Sequence, residues 1–388
     1  MILLANRRYT LWGTPHSLYT GKARAYLIKK RIPFDELLPS DPRFMGEVIA
    51  KVGHMVIPVI ETPRGELIQD TSAMIDALEA RFPAPSIRPV GGVQRVVAGL
   101  LDAFGSNYLL PLAMHYRWSP RNQQEQFLRS EFARAIPAAM PYENRLAAAA
   151  MLMTRFAGFL PNLGVTPAVI PAMEKSYAEL LGVLEAHLRA HPYLLGGCPS
   201  IGDFGLMAPL FAHLGRDPVP AFLMRTTAPN VALWTERMNL AAIGDSEYTD
   251  PGGSFPAADA IPETLEAVLR VAFAQWEPGL AADAAQFDAW LAALPEARPG
   301  TLVSHDGTRA VHPHVGRISY AWRGVTVERA SHPHSLWHLA RAQAIAAALD
   351  PAAAARLAAL LERTGGTALM ALTTARAITR ENNVLVLA

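Results

Sequence analysis

Four short clusters hold the residues of this chain that could do chemistry. The first is Thr14-Pro15-His16-Ser17, two hydroxyls and an imidazole ahead of an apolar, basic stretch. Hydroxyls at a helix start can cap backbone N–H groups or donate to an anion held there. The second is Ile57-Pro58, inside the strand-like run Met55–Ile60. A proline there removes a ladder donor and is out of place in a paired strand. It fits if the Ile57-Pro58 bond is cis, so that the backbone of Ile57 faces a bound peptide instead of a neighbouring strand. The third is Asp70-Thr71, which opens a helix where free N–H groups and short side-chain oxygens suit the carboxylate and amine of a small zwitterion. The fourth is a pair of His-Pro-His triplets, at 312–314 and 332–334. Alternate residues of an extended segment point the same way, so each triplet offers two imidazoles to one ion. No cysteine lies nearby, and the set matches no usual ligand pattern, so no metal is expected. Loop histidines packed on Trp322 and Trp337 are the plainer reading.

The elements that must position these residues fall into three parts. Residues 1–83 read as β-α-β-α-β-β-α. Tyr9–Trp12 is a strand, and a helix with an outward basic face follows Ser17. Ile32–Leu37 is a second strand and 42–52 a weak helix. Val56–Ile60 and Glu66–Ile68 form a hairpin about Thr62-Pro63-Arg64-Gly65, and Ser72–Phe82 closes the unit. Residues 84–93, rich in Pro and Gly, form a linker. Residues 94–250 read as helices: 94–118, 124–136, 143–159 and 173–190. Ser200 and Asp203 then have the spacing of a capping box, and a late helix covers 228–238. After Pro251–Pro256, residues 256–388 read as an α+β extension. It holds a helix over 263–294, a small sheet from 301–304 with the hairpin 317–322/325–329, helices over 336–349 and 351–363, and a closing strand at 384–387.

Thr14-Pro15-His16-Ser17, Ile57-Pro58, Asp70-Thr71, the Ser200/Asp203 box and the helix Ala228–Met238 occur in this order, and over residues 1–250 the chain resembles the glutathione transferase superfamily. The resemblance implies an α+β fold: a thioredoxin-like βαβαββα domain, an all-α transferase-type domain, and the added C-terminal extension. It implies glutathione as co-substrate, its thiolate attacking a small apolar electrophile, as in detoxification. Thr14 stands where serine-type families have their first serine and thiol-type members a cysteine, and Ser17 matches the second position. Either hydroxyl would orient the thiolate. His16 would assist it or meet a glutathione carboxylate. Ile57 and Pro58 would hold the cysteinyl backbone, and Asp70 and Thr71 the γ-glutamyl end. The other class implied is a non-catalytic relative that keeps the fold for binding or interaction.

Bulk properties agree. The 388 residues carry 35 basic and 34 acidic side chains, a net charge of +1, which gives no electrostatic case for nucleic acid or an anionic membrane. A single cysteine, Cys198, excludes an internal disulfide and reads as a buried thiol. With no apolar run at the N-terminus long enough for a signal peptide, a cytoplasmic protein is expected, with a homodimer possible. The apolar stretch Leu146–Met173 is interrupted by Arg155 and prolines, against a membrane span. It is expected to line the electrophile pocket or to be covered by the extension. Tyr108, His115, Tyr116, Arg117 and Trp118 are expected to face that pocket or the first domain.

Overall fold

The computed structural model describes residues 8–249 and 253–388. Strand β1 (Tyr9–Trp12), helix α1 (Leu18–Lys29) and strand β2 (Phe34–Leu37) form a right-handed unit in which β1 and β2 pair in parallel. A π-turn at Phe44–Val48 leads into the short α2 (Ile49–Val52). Strands β3 (Val59–Glu61) and β4 (Leu67–Gln69) follow, and α3 (Thr71–Arg81) ends the unit. The sheet order is β2-β1-β3-β4, with β3 antiparallel to both neighbours. This is the thioredoxin-like arrangement read from the sequence. The Ile57-Pro58 bond is cis, so the segment ahead of β3 leaves the ladder at Pro58.

The helical domain holds α4 (Gly92–Ala103), α5 (Leu110–Trp118), α6 (Arg121–Ala133), α7 (Tyr142–Ala157), α8 (Ile170–Ala190), α9 (Ile201–Ala212), α10 (Pro218–Thr227) and α11 (Pro229–Met238). The stretch 94–118 is not one helix: a π-turn at Phe104–Tyr108 interrupts it. An extra residue in one turn rotates the side chains that follow, and such bulges gather at functional sites. Ser200 and Asp203 form the expected capping box on α9. Asp203 accepts from Ser200 N at 2.8 Å, Leu194 N at 3.0 Å and Trp234 Nε1 at 3.3 Å, so one buried carboxylate ties three elements together.

The extension begins with the 30-residue α12 (Glu263–Ala292). The hairpin β5 (Arg317–Trp322) and β6 (Val325–Ala330) follows, turning at Arg323-Gly324 with both residues at positive φ. Then come α13 (Pro333–Ala347), α14 (Pro351–Thr364), α15 (Thr367–Met370) and a second hairpin, β7 (Ile378–Glu381) with β8 (Val384–Leu387). The small sheet expected from the sequence is therefore two separate ribbons. Residues 301–304 lie along β8, joined by Val303 N to Leu385 O, instead of along the first hairpin.

One apolar core runs through all three parts, from Leu11 and Tyr26 through Phe204 and Trp234 to Phe273, Trp337 and Leu387. Helix α13 packs on α4, and α12 lies on α8. The expectation that the extension covers Leu146–Met173 holds only for the end of that stretch. Gly164 meets Val327 and Arg329, but α7 packs on α6 and α5 and not on the extension's hairpin, leaving Met151 at 71%, Phe156 at 41% and Phe159 at 42% exposed. The reason is reach: the β5–β6 ribbon stops at the turn after α7. Among the described residues, two helical stretches are long and apolar enough by composition to cross a membrane. Gly92–Trp118 is mostly inside the protein and Tyr142–Leu163 mostly outside it.

Candidate active site

The N-terminal end of α1 separates the two hydroxyls that the sequence left equivalent. Ser17 is the N-cap: its side chain accepts from Thr20 N at 3.4 Å. Thr14 is buried, and its Oγ1 has no hydrogen-bond partner among the described residues. Its carbonyl is engaged, by Ser17 N and by Arg24, whose guanidinium also clasps Glu36. Gly13 presses against α1 so closely that a Cβ there would sit 2.3 Å from Thr20 Cγ2, which fixes the approach of Thr14. His16 turns toward the helical domain. Its ring stacks on Phe132 of α6 at 4.4 Å, and its carbonyl accepts from Arg117. Burial, then the Arg117 charge, pushes its pKa well down, so it is neutral.

Below this end, Lys22 is fully buried. Its Nζ lies 2.6 Å from Asp102 and 3.2 Å from Ser106 Oγ, both in the helical domain, and 3.4 Å from Ser72 Oγ on α3. Ser72 Oγ donates to Asp102 Oδ2 and meets His338 Nε2 at 3.1 Å. Asn107, displaced by the π-turn, donates to His338 Nδ1 at 2.6 Å and faces His334 Nδ1 at 3.2 Å. A buried lysine needs such partners, because an unpaired charge away from water is costly. Here the partners come from the first domain and the helical domain, and His338 of the extension reaches them through Ser72 and Asn107.

Asp70 caps α3, Oδ1 accepting from Ser72 N at 2.9 Å and Ala73 N at 3.1 Å. Its backbone sits at φ 74°, unusual for a residue with a Cβ and tolerated best by Asp and Asn. Its other oxygen, Oδ2, pairs with two extension residues: Arg380 Nη1 at 3.2 Å and His334 Nε2 at 3.4 Å. Burial alone would raise this carboxyl. The hydrogen bond and charge of His334, with the charges of Arg380 and His338, more than offset it and hold it well below the usual carboxylate range. Thr71, the first residue of α3, is buried beside it.

The extension thus covers Asp70, and it also reaches the segment ahead of the Ile57-Pro58 edge. Asn383, in the β7–β8 turn, donates to Val52 O at the end of α2. Arg309 abuts Gly53. His54, just before the Ile57-Pro58 edge, has both ring nitrogens buried without a partner among the described residues; burial, then Arg309 and Arg380, lowers its pKa. His312 is exposed beside Tyr19. The triplets do not assemble a metal site: among the described residues no group of three or more His, Cys, Asp or Glu is placed to hold an ion.

Next to Asn107 and Ser335 lies a cavity of about 50 Å³ between the helical domain and the extension. Tyr108, Met173, Trp276, Tyr320 and Trp322 give it an aromatic, apolar wall, and Ser176 and His332 are polar points in it. Arg329 at its edge is neutralised by a bidentate pair with Asp283. Of the five residues expected near this pocket, Tyr108 lines it. The others serve packing and structure: Arg117 binds Asp217, His115 meets Ser119 and Glu174, Tyr116 lies on Tyr177, and Trp118 on Phe132. Arg380, His338 and Asn107 escaped the sequence reading; His334 was read only as one of a triplet, and Lys22, expected on an outward basic face, is fully buried because Asp102, Ser106 and Ser72 receive its charge. The one local signal was Asn382-Asn383, a turn pair that marks a hairpin and so places Arg380 on a strand.

Residues 11–86 match the family model "Glutathione S-transferase, N-terminal domain", and residues 167–237 match "Glutathione S-transferase, C-terminal domain". No curated protein matches the chain. Similar solved structures include a glutathione S-transferase from Rhodospirillum rubrum F11, 14% identical, covering 66% of this chain and 97% of its own, with a TM-score of 0.37. Another, from Methylobacterium radiotolerans JCM 2831 in complex with glutathione sulfonate, is 17% identical and covers 66% of this chain and 100% of its own, with a TM-score of 0.34. A GST-like protein from Pseudomonas syringae is 19% identical, covering 69% and 74%, with a TM-score of 0.39. The chain thus carries, in order, a region similar to the N-terminal domain of glutathione S-transferases on the thioredoxin-like unit and one similar to their C-terminal domain on α8–α11.

Proposed function

We propose that this protein is a glutathione-dependent transferase acting on a small apolar electrophile. The observation that carries the reading is Thr14 Oγ1, a buried hydroxyl just ahead of α1 with no hydrogen-bond partner among the described residues. An unpaired buried hydroxyl costs about 1–3 kcal/mol, and a thiolate accepting from it removes that cost. The free N–H groups of the α1 start add positive potential at the same place. In this reading the Ile57 backbone beside Pro58 holds the cysteinyl part of glutathione, and Asp70 and Thr71 hold the γ-glutamyl part. The thiol proton leaves to water. The sulfur lone pair forms the new S–C bond as the electrophile's leaving group departs with its electrons. In this reading the aromatic wall at Tyr108, Trp276 and Tyr320 faces the electrophile once the cavity of about 50 Å³ widens to admit it. The cytoplasm, a reducing compartment, suits a chain whose one cysteine is buried. A homodimer would use surfaces other than the α4 face that α13 covers.

A second reading, a binding protein without turnover, is favoured by Asp70, whose two oxygens already meet Ser72, Ala73, His334 and Arg380. Turnover of glutathione with an activated aryl halide decides between them. The transferase reading expects a rate above the uncatalysed one and a loss of about 10²-fold in Thr14→Val, the scale for removing one donor to a developing anion. Ser17→Ala is expected to lose stability more than rate. Glutathione binding with no turnover would leave the second reading.

A further inference from the structure

We propose that the extension is a working part of the glutathione site: Asp70 and Arg380 form a paired carboxylate and guanidinium that together receive the ammonium and carboxylate of a γ-glutamyl group. This deepens the glutathione reading and rests on it. An amino-acid head group carries both charges on one carbon, so a protein that reads both needs opposite charges side by side. Arg380 Nη1 and Asp70 Oδ2 are 3.2 Å apart. Arg380 Nη2 donates to Gln69 Oε1 at 2.6 Å, and its guanidinium lies over Trp337, 5.6 Å from the ring centroid. These contacts fix the plane of the fork. A guanidinium has five N–H donors; Asp70 and Gln69 engage two, and an oriented fork is what bidentate carboxylate recognition requires.

The hairpin that carries Arg380 is anchored independently of Asp70, by Asn383 on Val52 and by Arg309 on Asn382 O. Arg380 therefore stays over the α3 start while its partners change. His334 completes the group, held by Asn107 and tilted against Trp337. When a head group docks on this pair, its ammonium meets the Asp70 carboxylate and its carboxylate meets the remaining N–H donors of Arg380, so that each charge lies beside its opposite. At other times Asp70 and Arg380 neutralise one another, which lets both remain largely buried. The class of ligand that fits is a γ-glutamyl peptide with its α-amine and α-carboxylate both free.

The test is calorimetry on the full chain with three probes: glutathione, the analogue lacking the α-carboxylate (γ-aminobutyryl-cysteinylglycine), and the analogue lacking the α-amine (glutaryl-cysteinylglycine). The wild type is expected to bind each analogue roughly tenfold or more weakly than glutathione, the scale of a charge-assisted hydrogen bond. Arg380→Gln is expected to bind glutathione about that much more weakly and to lose most of its preference over the α-carboxylate-free analogue. Equal wild-type affinity for glutathione and that analogue overturns the proposal, and needs no variant to fold. Tighter glutathione binding by Arg380→Gln overturns it too, since Arg380 would then be an obstacle. Failure of every probe to bind the wild type refutes the glutathione reading itself, a result distinct from either of these.

Discussion

At the scale of single residues, the decisive facts are which polar atoms are engaged and which are not. Sequence alone left Thr14 and Ser17 as rivals, because both types cap helices and both donate to anions. Packing separates them: Ser17 meets Thr20 N, and Thr14 Oγ1 meets nothing among the described residues. Asp70 was legible as a helix opener, but its partners were not, because Arg380 and His334 are brought to it only by the completed fold. Asp70→Asn keeps a good cap and removes the charge, so it isolates the pairing with the extension. The sign of the pH effect follows from the depressed carboxyl. Its stabilisation is fully present above the unfolded-state pKa of about 4 and is lost as pH falls through the folded-state value. The wild type should melt above Asp70→Asn by a constant margin from about pH 5 upward, with the margin shrinking below about pH 4. A margin that does not change on acidification would mean that the charge of Asp70 does not help hold the extension.

At the scale of elements, the first domain and the Ser200/Asp203 box were readable because their signals are local: alternation, a proline in a strand, a fixed capping spacing. The π-turn at Phe104–Tyr108 was not, since an apolar stripe looks the same with or without one extra residue in a turn. Yet that turn sets Ser106 toward Lys22, Asn107 toward His338 and Tyr108 into the cavity. The packed elements also bury histidines in neutral form. Burial, followed by Arg117, lowers His16 and His213. Burial and His191 lower His187 to about 3, and burial and His334 lower His338. For a base with a lowered folded pKa, the unfolded chain takes up protons that the folded chain refuses. Stability is therefore full above about pH 6.5 and falls below it, by about 1.4 kcal/mol per pH unit for each such histidine until its folded pKa is reached. With several acting together, melting temperature should drop steeply between about pH 6.5 and pH 5, well before carboxylates titrate. His187→Gln should flatten part of that slope. A flat profile down to about pH 5 would show these rings to be protonated in the folded state.

At the scale of the whole molecule, the question is whether the extension is a third body or part of the other two. Its length and helices were visible in the sequence; its place was not, because nothing local says which face a helix will cover. The structure seats α13 on α4, where Gly99 allows Ala342 close approach, and α12 on α8, where Gln275 donates to Ser176 O and Thr264 meets His187. The shared core passes through these contacts without a break. Removing the extension by ending the chain near residue 250 would bare the faces of α4 and α8 and strip Asp70 of Arg380 and His334. Even roughly 800 Å² of apolar surface at ~25 cal/mol per Å² is about 20 kcal/mol before entropy, far more than a domain's net stability. The truncated chain should therefore be poorly soluble, melt lower and bind a hydrophobic dye. The full chain is the necessary control, because Met151, Phe156 and Phe159 on α7 are already exposed and will bind some dye themselves; the increase over it is the measurement. A truncated chain that is monodisperse, unchanged in melting temperature and no stickier than the full chain would show the extension to be an independent module. Glutathione affinity measured on that same chain would then tell whether the site needs its roof: a fall is expected, since Asp70 would keep its cap on α3 but lose Arg380 and His334.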